Sequence, residues 1–170
     1  VCVITLGCAK NVVDSEILMK QFEANNLQLV GSSDESDATI INTCGFIQSA
    51  KKESLDTIMH AVKLKKEGRI NQLVVMGCLA ERYSRDLKKE IPEVDAYVGA
   101  NKILQVVEAL GADPKFNLTG ERVLTTPGHY AYLKISEGCD RPCSFCSIPI
   151  MRGKHLSRPI ESIIAEARLL

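Results

Sequence analysis

Seven cysteines are spread through the 170 residues, and six of them form two groups of three whose settings bear on chemistry. Cys8, Cys44 and Cys78 lie far apart, yet each follows a short apolar run and borders a glycine: Leu6-Gly7-Cys8, Thr43-Cys44-Gly45 and Met76-Gly77-Cys78. Three thiolates suit an iron–sulfur cluster or a zinc site. Cys139, Cys143 and Cys146 crowd into Gly138-Cys139-Asp140-Arg141-Pro142-Cys143-Ser144-Phe145-Cys146, a C-x-x-x-C-x-x-C spacing. Structural zinc takes four ligands, often in two pairs, and the nearest further candidate, His155, lies beyond Pro149 and Gly153. Three thiolates can instead hold three corners of a cubane cluster and leave one iron open to a small molecule. An odd cysteine count with no export signal argues against a disulfide framework. Cys2 sits inside an apolar run and reads as core.

Something must bring Cys8, Cys44 and Cys78 together. Apolar runs at residues 1–6, 38–42, 73–76 and 96–98 alternate with helical patterns, the signature of an open parallel sheet with helices on both faces, an α/β fold. The helical stripes are Ile17, Leu18 and Phe22; Leu55, Ile58, Met59 and Val62, stopped at Gly68; Tyr83, Leu87 and Ile91, ended by Pro92; and Ile103, Val106, Val107 and Leu110, closed by Gly111. In a parallel sheet all strands end on one edge, where ligands bind. Each of the three cysteines follows a strand, so all three are expected on that edge, with the glycines letting backbone approach a bulky ligand.

Residues 112–129 carry the turn cues Asp113-Pro114, Thr119-Gly120 and Thr126-Pro127-Gly128 and read as a linker. A further strand is expected at 130–135, then the cysteine-rich loop, then a helix opened by Pro159 with Ile160, Ile163, Ile164 and Ala167 on its apolar stripe. The organisation expected is therefore a first domain at 1–111, a linker at 112–129 and the start of a second, incomplete domain at 130–170. The chain opens directly on a strand and stops inside a helical pattern, so both ends read as cut.

Composition adds exclusions. With 21 basic and 21 acidic side chains the formal net charge is +0, so no bulk field draws the chain to nucleic acid or an anionic membrane. No apolar run is long enough to cross a bilayer, and the chain reads as cytosolic.

The C-x-x-x-C-x-aromatic-C motif after a strand resembles the signature of the radical S-adenosylmethionine (SAM) superfamily. Upstream, Thr5-Leu6-Gly7-Cys8-Ala9-Lys10-Asn11-Val12-Val13-Asp14-Ser15-Glu16, Asn42-Thr43-Cys44-Gly45-Phe46 and Gly77-Cys78-Leu79 resemble the N-terminal domain of the methylthiotransferases within it. That resemblance implies two 4Fe-4S clusters, an auxiliary one on Cys8, Cys44 and Cys78 and a SAM-binding one on Cys139, Cys143 and Cys146. It implies Phe145 near the SAM adenine, an electron donor as partner, and a (β/α) barrel of which 130–170 would be the first unit. It also implies replacement of a C–H bond by a methylthio group. Gly7-Cys8-Ala9-Lys10-Asn11 and Ser147-Ile148-Pro149-Ile150-Met151-Arg152-Gly153-Lys154 look like the branch that modifies an aspartate of a small-subunit ribosomal protein. Ala9 stands where that branch commonly has Pro. The branch acting on tRNA adenosine, a non-enzymatic iron–sulfur carrier and a zinc module are the alternatives.

Other polar residues have plainer readings. Lys51, Lys52, Lys63, Lys65 and Lys66 are expected on a solvated helix face, Arg152 and Lys154 as exposed loop cations, and Asn11 and Asp14 as caps of the first helix. His60 is expected in solvent and His129 in the linker. No zinc-protease pair, triad or Gly-rich phosphate loop occurs.

Overall fold

The computed structural model describes residues 1–118 and 120–170; Thr119, half of one turn cue, lies outside the described residues. Strands β1 (Cys2–Thr5), β2 (Ala38–Thr43), β3 (Gln72–Gly77) and β4 (Ala96–Gly99) form one sheet in the order β1-β2-β3-β4, all parallel. Between and after them run α1 (Ala9–Ala24), α2 (Gln48–Lys66), α3 (Cys78–Glu90) and α4 (Ile103–Ala109). The expected α/β architecture is therefore present.

Alternating side chains sort the two faces, as strand geometry requires. Ile41, Leu73 and Val75 meet Ile58, Ala61, Val62 and Leu64 of α2 and Leu79, Ala80 and Leu87 of α3. Ile40, Val74, Met76 and Val98 meet Leu18 and Phe22 of α1 and Val106 and Val107 of α4. On α2 the expected stripe is rotated. Ile58 and Val62 are buried, whereas Leu55 and Met59 face solvent, their places taken by Ser54, Ala61 and Leu64.

One short extended segment was not expected. After α1 the chain turns at Asn26, whose φ is +59°, and Val30 bridges Cys2 in parallel. Val30 N donates to Val1 O at 3.0 Å. This places residues around Val30 on the outer edge of β1, so the chain winds one way through α1 and the other way through α2 and α3. Right-handed crossovers in opposite directions put helices on opposite faces. The reversal falls between β1 and β2, the switch point at which doubly wound sheets open a crevice.

The segment 112–129 is fastened along α1. Gln21 Nε2 donates to Lys115 O and Gln21 Oε1 accepts from Lys115 N, both at 2.8 Å. Buried Glu16 accepts from Thr125 N at 2.8 Å and Thr125 Oγ1 at 3.0 Å, and the Arg122 guanidinium lies between Glu16 and Glu166.

Beyond it the expected strand at 130–135 has no ladder. Its carbonyls at Tyr130, Tyr132 and Lys134 accept from side chains instead: Thr126 Oγ1, Arg122 Nη2 and Arg158 Nη1. A strand needs a neighbour's backbone, and pairing starts only at β5 (Ser136–Glu137), antiparallel to β6 (Leu156–Ser157). Between them lie the cysteine loop and α5 (Ile148–Arg152); α6 (Ile160–Leu169) follows Pro159. The apolar side chains of α6 do not form its inner face: Ile160 and Ile164 are exposed, and Glu166 is the buried residue, held by Arg122 and Arg158.

Candidate functional site

The sheet register aligns the strand ends. Thr5 pairs with Asn42 and Thr43 with Gly77, so Cys44 and Cys78 each stand one residue past partnered positions on strands about 4.8 Å apart. Cys8 caps the start of α1 and Cys78 is the first residue of α3.

Two glycines let these loops nest. Gly7 has φ +95°, and a Cβ there would stand 2.6 Å from Cys44 Cβ and 3.1 Å from Cys44 Sγ. A Cβ on Gly45 would meet Leu79 Cα at 2.9 Å and Leu79 N at 3.0 Å. The first loop lies on the second and the second on the third. The glycines serve the contact between loops, where the sequence suggested approach to a ligand.

Buried polar side chains fix this arrangement. Ser54 Oγ accepts from Cys44 N and donates to Cys44 O, both at 3.1 Å. Asn11 Nδ2 donates to Leu6 O at 2.7 Å and Thr43 O at 3.2 Å, joining the backbones ahead of Cys8 and Cys44. Asn42 Nδ2 donates to Asn11 O and Ser15 Oγ, both at 3.0 Å.

Asn11 and Asp14 are 0% and 1% exposed and do not cap α1, whose N-cap Cys8 makes no side-chain cap bond. Their partner is Arg152, which is 5% exposed rather than a loop cation in solvent. Arg152 Nη1 donates to Asp14 Oδ2 at 2.6 Å and Glu137 Oε2 at 3.2 Å, Nη2 to Asn11 Oδ1, and Nε to Cys78 Sγ at 3.2 Å. Lys134 donates to Asp14 and Glu137. Lys10 Nζ reaches Glu137 Oε1 at 2.9 Å and Ser136 O at 3.1 Å. Helix periodicity hid this network, because Asn11 and Asp14 occupy positions that a first-turn cap pattern also explains. The available signal was polar Asn42 and Thr43 inside an otherwise apolar strand.

The electrostatics follow from burial and pairing. Burial foremost pushes the Cys78 thiol up, the Arg152 guanidinium opposes it, and the nearby Cys44 and Cys8 add to the rise. Burial would lower the Arg152 pKa, but Asp14 foremost, with Cys78 and Glu137, holds the guanidinium above its ordinary value. Burial would raise Glu137, yet Lys10, Arg152 and Lys134 hold it below the usual carboxylate range.

A cavity of about 1080 Å³ opens at this edge, lined by Cys8, Cys44, Cys78 and Cys139 together with Lys10 and Arg152. The structure thus brings the first trio to one space and adds the first cysteine of the second trio to its wall. Cys143 and Cys146 do not line that space, and Phe145 is 89% exposed on the same loop. Among the described residues no three His, Cys, Asp or Glu side chains are placed to hold a single metal ion. Three thiols lining one cavity are a donor set of the kind an iron–sulfur cluster takes. His60 and Lys154 are exposed, as read from the sequence, and so is His129. Of the helix lysines, Lys52 pairs with Asp56, Lys63 with Glu67, Lys65 with Asp95 and Lys66 with Glu93. No helix of the described residues is long and apolar enough to cross a membrane.

Comparison with known proteins agrees with the motif resemblance. Over 168 residues the chain is 51% identical to the ribosomal protein uS12 methylthiotransferase RimO of Cytophaga hutchinsonii, covering 98% of this chain and 38% of that protein. It is 54% identical to the protein of the same name from Flavobacterium johnsoniae over 98% of this chain and 39% of the relative. The Christiangramia forsetii protein, again of that name, is 55% identical over 99% of this chain and 37% of its own length. The chain therefore spans under two-fifths of the length of these curated relatives. A family model described as "Uncharacterized protein family UPF0004" matches residues 1–99, the stretch from the first strand through β4 that carries Cys8, Cys44 and Cys78, and the chain belongs to that family.

Proposed function

We propose that this chain is the front part of a cytoplasmic radical SAM methylthiotransferase that acts on an aspartate of ribosomal protein uS12. The observation that carries the proposal is one cavity walled by Cys8, Cys44, Cys78 and Cys139, in a chain whose relatives are named for that activity. Cys8, Cys44 and Cys78 would hold an auxiliary 4Fe-4S cluster, and Cys139, Cys143 and Cys146 a SAM-binding one. When bound, the auxiliary cluster would carry or supply the inserted sulfur and the other would pass on the electron that cleaves SAM.

The chain's own residues do the positioning. Ser54 and Asn11 hold the backbones that present Cys44 and Cys8. Leu6, Phe46, Ile47, Ile148 and Met151 give the cavity an apolar lining. Lys10 and Glu53 place a cation and a carboxylate on the same wall. The Phe145 ring, 89% exposed, is assigned to the adenine of SAM. Residues 1–111 then form the cluster-bearing domain, 112–129 the connecting strap and 130–170 the start of the SAM-binding domain.

The test uses full-length protein reconstituted anaerobically with iron and sulfide, given SAM, a reductant and either uS12 or tRNA. A methylthio group on uS12 by mass spectrometry is the expected result. Modification of tRNA alone would move the assignment to the other branch. Cluster transfer without SAM cleavage would make the protein a carrier, and a colourless zinc-loaded protein would reject clusters altogether.

A further inference from the structure

We propose that Arg152 is a positioning residue for the first cysteine trio: its guanidinium, fixed from three sides, hydrogen-bonds the Cys78 sulfur and tunes the cluster held there. This rests on the cluster reading above and adds a residue from outside that trio. All three guanidinium nitrogens are engaged, Nε on Cys78 Sγ at 3.2 Å, Nη1 on Asp14 and Glu137, Nη2 on Asn11. Its backbone is fixed as well, since Asn101 Nδ2 donates to Arg152 O at 2.8 Å and the neighbouring Met151 packs against Cys78 and Ala100. A rigid fork with five donors can meet such a set at once, whereas a single ammonium cannot.

Charge points the same way. The cations Lys10, Lys134 and Arg152 meet only two carboxylates, Asp14 and Glu137. Lys10, with 43% of its side chain exposed, shares its charge with solvent, which leaves the buried Arg152 guanidinium as the cation in direct hydrogen-bond contact with the Cys78 sulfur. Hydrogen bonds to ligand sulfur and local net charge are the protein's levers on cluster potential. Arg152 ends α5, the helix that follows the second cysteine loop, so it also ties the second trio's segment to a ligand of the first.

The experiment uses full-length protein in which Cys139, Cys143 and Cys146 are all replaced by Ala, so that only the first cluster is loaded. Iron and sulfide are counted and the midpoint potential is read by a spectroscopic redox titration. Arg152→Gln should shift the midpoint to a more negative value, because a cationic donor favours the reduced, more negative cluster. Arg152→Lys should move it less, in the same direction. An unchanged midpoint in a fully loaded Arg152→Gln protein overturns the proposal. If Arg152→Gln takes up no cluster, full loading of Arg152→Lys supports the role of charge, and equal loss in both variants overturns it. If the background protein itself takes up no iron and sulfide, the cluster reading of the first trio fails and the Arg152 role falls with it, a result distinct from an unmoved potential.

Discussion

Replacing Gly7 by Ala tests whether the cysteine loops depend on contact with one another. The new Cβ would stand 2.6 Å from Cys44 Cβ and 3.1 Å from its sulfur, at a backbone φ of +95°. Holding a non-glycine residue in that region costs about 1–3 kcal/mol. Forcing a methyl group into a filled contact costs about 1–3 kcal/mol more, since the atom met first is a Cβ fixed to the backbone. The sum is about 2–6 kcal/mol. At roughly 2–4 °C per kcal/mol for a chain of this size, the midpoint of thermal unfolding should fall by roughly 4–24 °C. Gly31→Ala is the control: nothing lies within 4 Å of its Cβ position and its φ is not positive. There a change between zero and a gain of about 1 kcal/mol is expected from the stiffer unfolded chain. Calorimetry or circular dichroism of the two variants beside the parent decides. A Gly7→Ala midpoint within a degree or two of the control's would refute the nesting of Cys8 on Cys44.

Two further predictions concern the charged network. Asp14→Asn removes the carboxylate that Arg152 and Lys134 share and should destabilise the chain by about 3–5 kcal/mol, because it leaves buried cations underpaired. In denaturant titrations the added change Arg152→Met should restore part of that loss, and additive losses would contradict the pairing. Glu137 has its pKa held below its unfolded value, so the unfolded chain binds its proton first as pH falls. The stabilisation it brings is complete at neutral pH and above the unfolded value near 4.5, and is lost as pH falls through the lower folded value. Glu137→Gln should flatten the acid limb of stability against pH, and an unaltered limb would show that the contact carries no linkage.

The sheet was legible because parallel strands buried on both faces appear as plain apolar runs. The four strands and the cysteines that follow three of them could be placed from the position of Val, Ile and Gly alone. The Val30 bridge escaped because a single parallel bridge needs no long run, yet it is what puts the chain reversal between β1 and β2. The 130–135 segment misled for a related reason: Tyr130, Tyr132 and Lys134 have strand-like spacing, but sequence does not show that Thr126, Arg122 and Arg158 occupy their carbonyls. At the site, the first trio was readable from repeated local context, while Arg152 was not. Its partners Asn11 and Asp14 lie 141 and 138 residues away, and no local pattern carries a contact over that separation. Leu55 and Met59 show the limit of a helical stripe, which fixes a spacing but not which of two adjacent faces turns inward.

The same separation has a consequence for how the molecule is made. On a ribosome the sheet residues and α4 emerge first, with Asp14 already committed to the interior face of α1. Its cationic partners Lys134 and Arg152 arrive when a further 23 and 41 residues beyond Gly111 have been added, the arginine about 2–8 s later at ordinary elongation rates. Until then Asp14 lacks the arginine that it meets in the finished fold. The ion pairs that bury Asp14 are therefore completed by residues made after the whole sheet.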